Sequence, residues 1–307
     1  MIDDNQIDKL IHAFQLLKAQ SPETCSDDLL PASEAYDLYA TLVDRFNDRQ
    51  FDLGAWLPSF RQHIRPLIPG EVCVILADTG QGKTALVQSL ALACPNLKVV
   101  LFELELPVDL VVERFLSMTT GKPGSEIEKF HRAGGRLENP TKGWDHVWTC
   151  KRSGLSVADM ETILIEGAKK IGAAPSVVIV DYAGLVRGYG KTIYEKTTQV
   201  AVEIKNLARK TETIVFLTSQ IHRQEGEEIG LHDAKDSGQI ENSAGLILAA
   251  WRDKKEPDRM KIRILKSTKG GSGRTIEANF DGPTMRIWEK NDVPTKVEAP
   301  PEHWANR

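Results

Sequence analysis

ADTGQGKT, residues 77–84, is the stretch from which the rest of the chain can be read. It ends the short apolar run VCVIL (72–76) and opens a helix reaching about Cys94, the strand–loop–helix setting that a phosphate loop requires. Gly80 and Gly82 let the backbone curl so that its N–H groups point inward, and the helix N-terminus adds its own partial positive charge. Lys83 brings a cation to the β- and γ-phosphates, Thr84 offers a hydroxyl to Mg2+, and Thr79 and Gln81 complete the cradle. ATP is the default nucleotide for such a loop.

Outward from the loop, apolar strands alternate with helices. VVLF (99–102) is followed by a helix from Pro107, and a polar, glycine-rich stretch (121–143) comes next. A helix near 157–172 precedes VVIVD (177–181), and a long helix over roughly 194–211 precedes IVFLTSQ (214–220). Fully apolar strands separated by helices predict a parallel sheet buried on both faces. After Gly245 the pattern turns to strands, GLILAAW, MKIRILKS, RTIEANF and MRIW, which read as an antiparallel extension of that sheet. The fold class is therefore α/β. Ahead of the core, Ile7, Leu10, Ile11, Phe14 and Leu17 lie at helical spacing, and Leu38, Leu42 and Phe46 predict a second helix ending near Asn47. Two such helices are too small to hold a core of their own and are expected to dock on the main domain or on a neighbouring subunit. The expected division is a helical N-terminal segment over 1–50, a motor domain over 51–290 and a tail over 291–307.

Binding a nucleotide needs the loop, whereas turnover also needs a carboxylate on the metal side and a group to orient the attacking water. Asp181 closes an apolar strand at the edge where parallel sheets present ligand sites, which makes it the natural Mg2+ partner of Thr84. In FELEL (102–106) a two-residue alternation puts Glu103 and Glu105 on one face and Phe102, Leu104 and Leu106 on the other. Acids at the end of an apolar strand are costly unless they face a polar site, so one of the two is expected to be the general base. Gln220 ends another apolar strand at the same edge, where a neutral amide can sense the γ-phosphate.

The bulk numbers bound this reading. At 307 residues the chain is long enough for one large α/β domain plus an appendage. No apolar run approaches the ~18 residues of a membrane span, and the acidic start MIDDNQIDKL lacks the marks of a signal peptide. Cys25, Cys73, Cys94 and Cys150 lie far apart with no C-x-x-C pair, which argues against zinc or disulfides and for a reducing, cytoplasmic setting. Net charge is −4, but residues 1–60 carry 11 acids against 4 bases, while 252–274 carry 9 bases against 3 acids. Local surplus decides whether a surface attracts phosphate, so the acidic balance does not exclude nucleic acid.

LADTGQGKTALVQSLAL, FELELPVDLVVERFL, VVIVDYAGLV, LTSQIHR and LHDAKDSGQIENSAGLILAAWR, in that order and spacing, resemble the RecA-like motor domain of DnaB-type replicative helicases over about residues 61–288. The DY pair, the SQ followed by an arginine and the D-x-x-x-SG-x-I-E block favour that family over other P-loop proteins. The resemblance implies an ATP-hydrolysing, Mg2+-dependent DNA helicase: a hexameric ring that translocates on single-stranded DNA during replication, with primase or a loader as protein partner. It implies Glu105, in ELEL where the family has SLEM, as the catalytic glutamate and Asp181 as the Walker B acid. Gln220 would be the switch between nucleotide and DNA, and Arg114 would lie near the base. Lys235, Asp236, Ser237 and Gly238 would belong to the DNA-binding loop of the channel, with Lys235 in place of an arginine.

The chain also departs from the family's pattern. The family carries a K-x-R pair that reaches the neighbouring subunit's γ-phosphate, whereas LKSTKGGSG here matches it at Lys266, places Thr268 at the finger position and Lys269 after it. A lysine can stabilise the same charge, though without the arginine's bidentate fork. With no evident partner in their own chain, Lys266 and Lys269 are expected to act across a subunit interface. The first 60 residues are short for the full helical N-terminal domain of a cellular DnaB, which points to a phage, plasmid or specialised homologue. Two other functions fit the same core: a RecA- or RadA-like DNA-dependent ATPase acting as recombinase or mediator, and a regulatory ATPase with a protein partner.

Overall fold

The structure, a computed structural model, describes residues 30–221, 242–253 and 255–289, and of residues 42, 43, 45, 193 and 194 the backbone alone. The predicted stripe from Ile7 to Leu17, Cys25, and the loop holding Lys235, Asp236, Ser237 and Gly238 lie outside the described residues. The chain enters through helix α1 (Ala32–Phe46), the predicted second helix. Its side chains Tyr36, Leu38 and Tyr39 are exposed, and burial begins at Phe46 and Phe51.

Among the described residues nine strands form one sheet: β1 (Val72–Ala77), β2 (Val99–Glu103), β3 (Val147–Thr149), β4 (Val177–Asp181), β5 (Ile214–Gln220), β6 (Leu246–Asp253), β7 (Glu256–Ser267), β8 (Thr275–Asp281) and β9 (Arg286–Trp288), ordered β3-β2-β4-β5-β1-β6-β7-β8-β9. β3, β2, β4, β5, β1 and β6 run parallel, and β7, β8 and β9 continue antiparallel. The sequence reading placed the change of direction at β6. It comes one strand later, because β6 pairs with β1 in parallel through Cys73↔Leu246 and turns back only into β7.

Continuous apolar strands produce two cores, one on each face. Cys73, Ile75, Val99, Leu101, Ile179 and Phe216 face helices α2 (Lys83–Ala93) and α3 (Val108–Thr120), together with the segment 51–67. Phe51 stands edge-on to Phe216 with ring centroids 4.9 Å apart. Val74, Leu76, Phe102, Val178, Val180 and Leu217 face α5 (Val157–Ile171) and α6 (Ile193–Thr211). A fully buried aliphatic or aromatic side chain stabilises the fold by about 1.5–3 kcal/mol, so a strand such as β1, buried along its whole length, is fixed in position. α5 begins with a capping box in which the Ser156 hydroxyl accepts from the Asp159 N–H and the Asp159 carboxylate accepts from the Ser156 N–H. Within the polar stretch 121–143 a short helix, α4 (Gly124–Arg132), follows Gly121, the left-handed cap of α3 at φ 68°. Among the described residues no helix is long and apolar enough to cross a membrane.

Candidate nucleotide-binding site

The carboxyl ends of β1, β2, β4 and β5 meet at one edge of the sheet, where open α/β sheets bind ligands. β1 runs into the phosphate loop, and the loop's form follows from its glycines. Gly80 and Gly82 have φ of 75° and 92°, a left-handed conformation that side chains rarely adopt. A Cβ on Gly82 would also stand 2.9 Å from Met260 Cε, a flexible side-chain end that could shift, so the positive φ is what reserves the position for glycine. α2 starts at Lys83, a residue 9% exposed whose ammonium lies 4.1 Å from the centroid of the Tyr182 ring. The tyrosine of the DY pair therefore braces the lysine of the loop.

A cavity of about 380 Å3 opens over the loop, within the usual size range of small-ligand sites. Asp78, Thr79, Gly80, Gly82, Lys83 and Thr84 line one wall, and Glu105, Arg114 and Gln220 contribute to the others. Residues from separate segments, predicted to share one site, thus converge on it. Gln81 accepts the backbone N–H of Arg252 through its Oε1 at 2.8 Å. The Gln220 amide donates to the Thr79 hydroxyl, which ties the end of β5 to the loop.

The two acids of FELEL have separate fates. β2 ends at Glu103, so the two-residue alternation does not continue through Leu106: Leu104 packs on one core and Leu106 on the other. Glu105 lies in the bend beyond the strand, exposed to the cavity. Glu103 is 4% exposed and pairs with Asp181 across β2 and β4. Its Oε1 accepts the N–H groups of Glu105 and Leu106 at 3.1 and 3.2 Å, which shapes the bend that presents Glu105. Burial first and the charge of Asp181 second push the Glu103 carboxyl up to about 7, against the pull of those N–H groups and of Arg114.

Asp181 is fully buried. Its Oδ1 accepts the Thr218 hydroxyl, whereas Oδ2 has no hydrogen-bond partner among the described residues. An orphaned carboxylate oxygen is expensive unless a cation or its water satisfies it. With the Thr84 hydroxyl it would offer an all-oxygen donor set suited to Mg2+, which takes most of its ligands from water and phosphate. Among the described residues no group of three or more His, Cys, Asp or Glu gathers into a site for a different metal.

Lys269 is not free in its own chain. Its ammonium meets Glu71 Oε2 at 2.6 Å and donates to the Pro66 carbonyl at 2.9 Å, with 17% of the side chain exposed. Glu71 precedes β1, so Lys269 is tied to the end of that strand opposite the phosphate loop. Lys266 lies on β7, half-buried, across from Ile247 of β6. The expectation that both lysines lack a partner in their own chain therefore fails, since Glu71 is distant in sequence and adjacent in space.

Arg252 is a site residue that the sequence reading left without a role. From β6 its Nη2 donates to the Gly80 carbonyl at 2.5 Å, and its guanidinium lies 4.5 Å from the centroid of the Phe280 ring. Phe280 and Met285 from the antiparallel extension close the same cavity. The only signal in the sequence was an arginine ending an apolar strand.

Comparison with known proteins places this geometry. The family model described as DnaB-like helicase C terminal domain matches residues 57–289. The replicative DNA helicase DnaB of Mycoplasma genitalium is 28% identical over 249 residues, which take in 70% of this chain and 52% of that protein. The chain spans about half the length of the curated relatives it matches. Among solved structures, an ATPase domain superposes with a TM-score of 0.72 over 84% of this chain and 98% of that one, at 19% identity. A DnaB-like replicative helicase, solved in a study of its interactions with primase, gives a TM-score of 0.69 over 93% of this chain and 76% of that one, at 17% identity. At such identities these likenesses are of fold.

Proposed function

Because the chain belongs to the DnaB-like helicase C-terminal-domain family, we propose that it is the ATP-driven motor of a replicative DNA helicase, hydrolysing ATP to move along single-stranded DNA. The observation that carries this reading is the convergence of Lys83, Thr84, Glu105 and Arg114 on one cavity, with Asp181 buried behind it. The loop N–H groups and Lys83 hold the β- and γ-phosphates, and Arg114 lies toward the base. Thr84 and Asp181 are the residues that would hold Mg2+, which when bound neutralises charge on the phosphates. Glu105 accepts a proton from the attacking water as the new oxygen–phosphorus bond forms. The bond from the γ-phosphorus to the bridging oxygen breaks, leaving ADP and phosphate. Gln220, held to Thr79, leads directly into residues 222–241, which contain the AKDSG loop proposed to contact DNA.

A homo-oligomeric ring and contacts with primase or a loader belong to the same proposal. Lys266, which matches the lysine of the family's K-x-R pair, is proposed to act across the ring. A forked-DNA unwinding assay tests the reading, run beside Lys83→Ala, which removes the cation at the phosphates and should abolish turnover. Opening of the fork only with hydrolysable nucleotide and a free single-stranded tail, expected to be the 5′ tail, would support it. DNA-stimulated hydrolysis with strand exchange and no unwinding would move the chain to the RecA- or RadA-like class. Hydrolysis indifferent to DNA at low salt would leave a regulatory ATPase.

A further inference from the structure

Among the described residues, two carboxylate oxygens at the carboxyl ends of β2 and β4 are buried without a hydrogen-bond partner: Glu103 Oε2 and Asp181 Oδ2. Their residues are directly paired across β2 and β4, on neighbouring strands about 4.8 Å apart. Glu103 is 4% exposed and Asp181 0%. Each carboxylate commits its other oxygen to the protein. Glu103 Oε1 takes the Glu105 and Leu106 N–H groups, and Asp181 Oδ1 takes the Thr218 hydroxyl. Packing needs only those satisfied oxygens. The remaining pair brings two acids and two unmet acceptors into one dry place, a combination that a fold tolerates where a cation completes it.

We propose that Glu103 is a second acidic residue of the divalent-cation site, its Oε2 and Asp181 Oδ2 together holding the water shell of the ion bound beside Thr84. The inference rests on the nucleotide-site reading above and deepens it. A single aspartate would bring one buried acid to the ion, whereas this chain brings two. In the register that sets ELEL against the family's SLEM, Glu103 stands where the family has serine, so the second acid belongs to this chain and not to the motif. Glu103 acts through the ion and its water, and Glu105 remains the residue that meets the attacking water. The same Glu103 carboxylate shapes the bend presenting Glu105, so it positions both halves of the site.

Mn2+ is the probe, titrated into the full chain with ADP and followed by the electron paramagnetic resonance signal of the free ion. Glu103→Gln keeps an acceptor for the two N–H groups and removes the charge. It should raise the Mn2+ dissociation constant about tenfold or more, the usual cost of losing an outer-shell partner, with ADP affinity in EDTA unchanged. Without metal and above pH 7, where Glu103 is ionised, its melting temperature should rise, because a like-charge repulsion is gone. A carboxylate that only fixes the bend would give the reverse: a lower melting temperature and wild-type Mn2+ binding. Glu103→Ser, which also removes the charge, should lose Mn2+ affinity in the same way and serves if the glutamine variant does not fold. Mn2+ affinity within about twofold of wild type in a folded variant would overturn the inference alone. A wild-type chain that binds neither ADP nor Mn2+ with ADP would overturn the nucleotide-site reading as well.

Discussion

Replacing Lys269 by alanine tests whether the turn between β7 and β8 serves its own subunit or the next. The Lys269 ammonium has two partners, Glu71 Oε2 at 2.6 Å and the Pro66 carbonyl at 2.9 Å, and the ion pair is 17% and 20% exposed. Hydrogen bonds to charged groups contribute about 1.5–3 kcal/mol, and fully exposed ion pairs about 0–1 kcal/mol. This pair lies between the two limits. Glu71 keeps the Ile68 N–H at 2.8 Å after the substitution, so its carboxylate is not stranded. A loss of about 2 kcal/mol follows, which for a domain of this size lowers the melting temperature by about 4–8 °C. Calorimetry of Lys269→Ala, Glu71→Gln and the double variant should return a coupling energy of about 1–2 kcal/mol. ATP hydrolysis measured well below both melting temperatures should stay near the wild-type rate. An unchanged melting temperature with lost hydrolysis would refute the reasoning and restore Lys269 to the neighbouring subunit's nucleotide.

Three further substitutions probe the site itself. Glu105→Gln should retain ATP binding while cutting hydrolysis by ~10² or more; if Glu103→Gln at saturating Mg2+ is the dead variant instead, the roles of the two acids are reversed. Arg252→Ala removes the donor to the Gly80 carbonyl and the stack on Phe280, and should raise the ATP dissociation constant by about tenfold, measured by calorimetric titration. An unchanged affinity would mean that the loop holds its shape without Arg252. Lys235→Ala should uncouple hydrolysis from single-stranded DNA with basal turnover kept, and flatten a salt dependence of ~0.7 log units per phosphate contact. Unaltered stimulation by DNA would place the DNA contact elsewhere.

What the sequence made legible was local. VCVIL followed by ADTGQGKT specifies a buried strand, a turn that only glycines allow and a helix start, all within a short run of neighbouring residues, and the structure has each of them. Asp181 and Gln220 could be placed by the same logic, since each ends a continuous apolar strand and parallel strands deliver their ends to one edge. The antiparallel extension was visible as strands, but which strand reversed direction was not. Apolar pattern records burial and not the direction of the neighbour, so β6 read like β7 and yet pairs with β1 in parallel.

What stayed hidden depends on partners far along the chain or on where a period stops. Glu71 and Lys269 are 198 residues apart, and neither carries any local mark of the other. Arg252 reaches Gly80 across 172 residues, by way of a strand whose apolar run predicts only that it is buried. The acids of FELEL failed differently. A two-residue period predicted that they share a face, but period-2 geometry holds only while the backbone stays in the strand. Glu103 itself ends that strand by taking the next two free N–H groups onto its carboxylate. The carboxylate that made it look like a candidate base is the one whose Oε1 takes those two N–H groups and turns Glu105 outward into the cavity. An acid in an apolar strand therefore marks a site without saying which of two neighbouring acids meets the substrate. The hydrogen bonds it makes to its own backbone decide that.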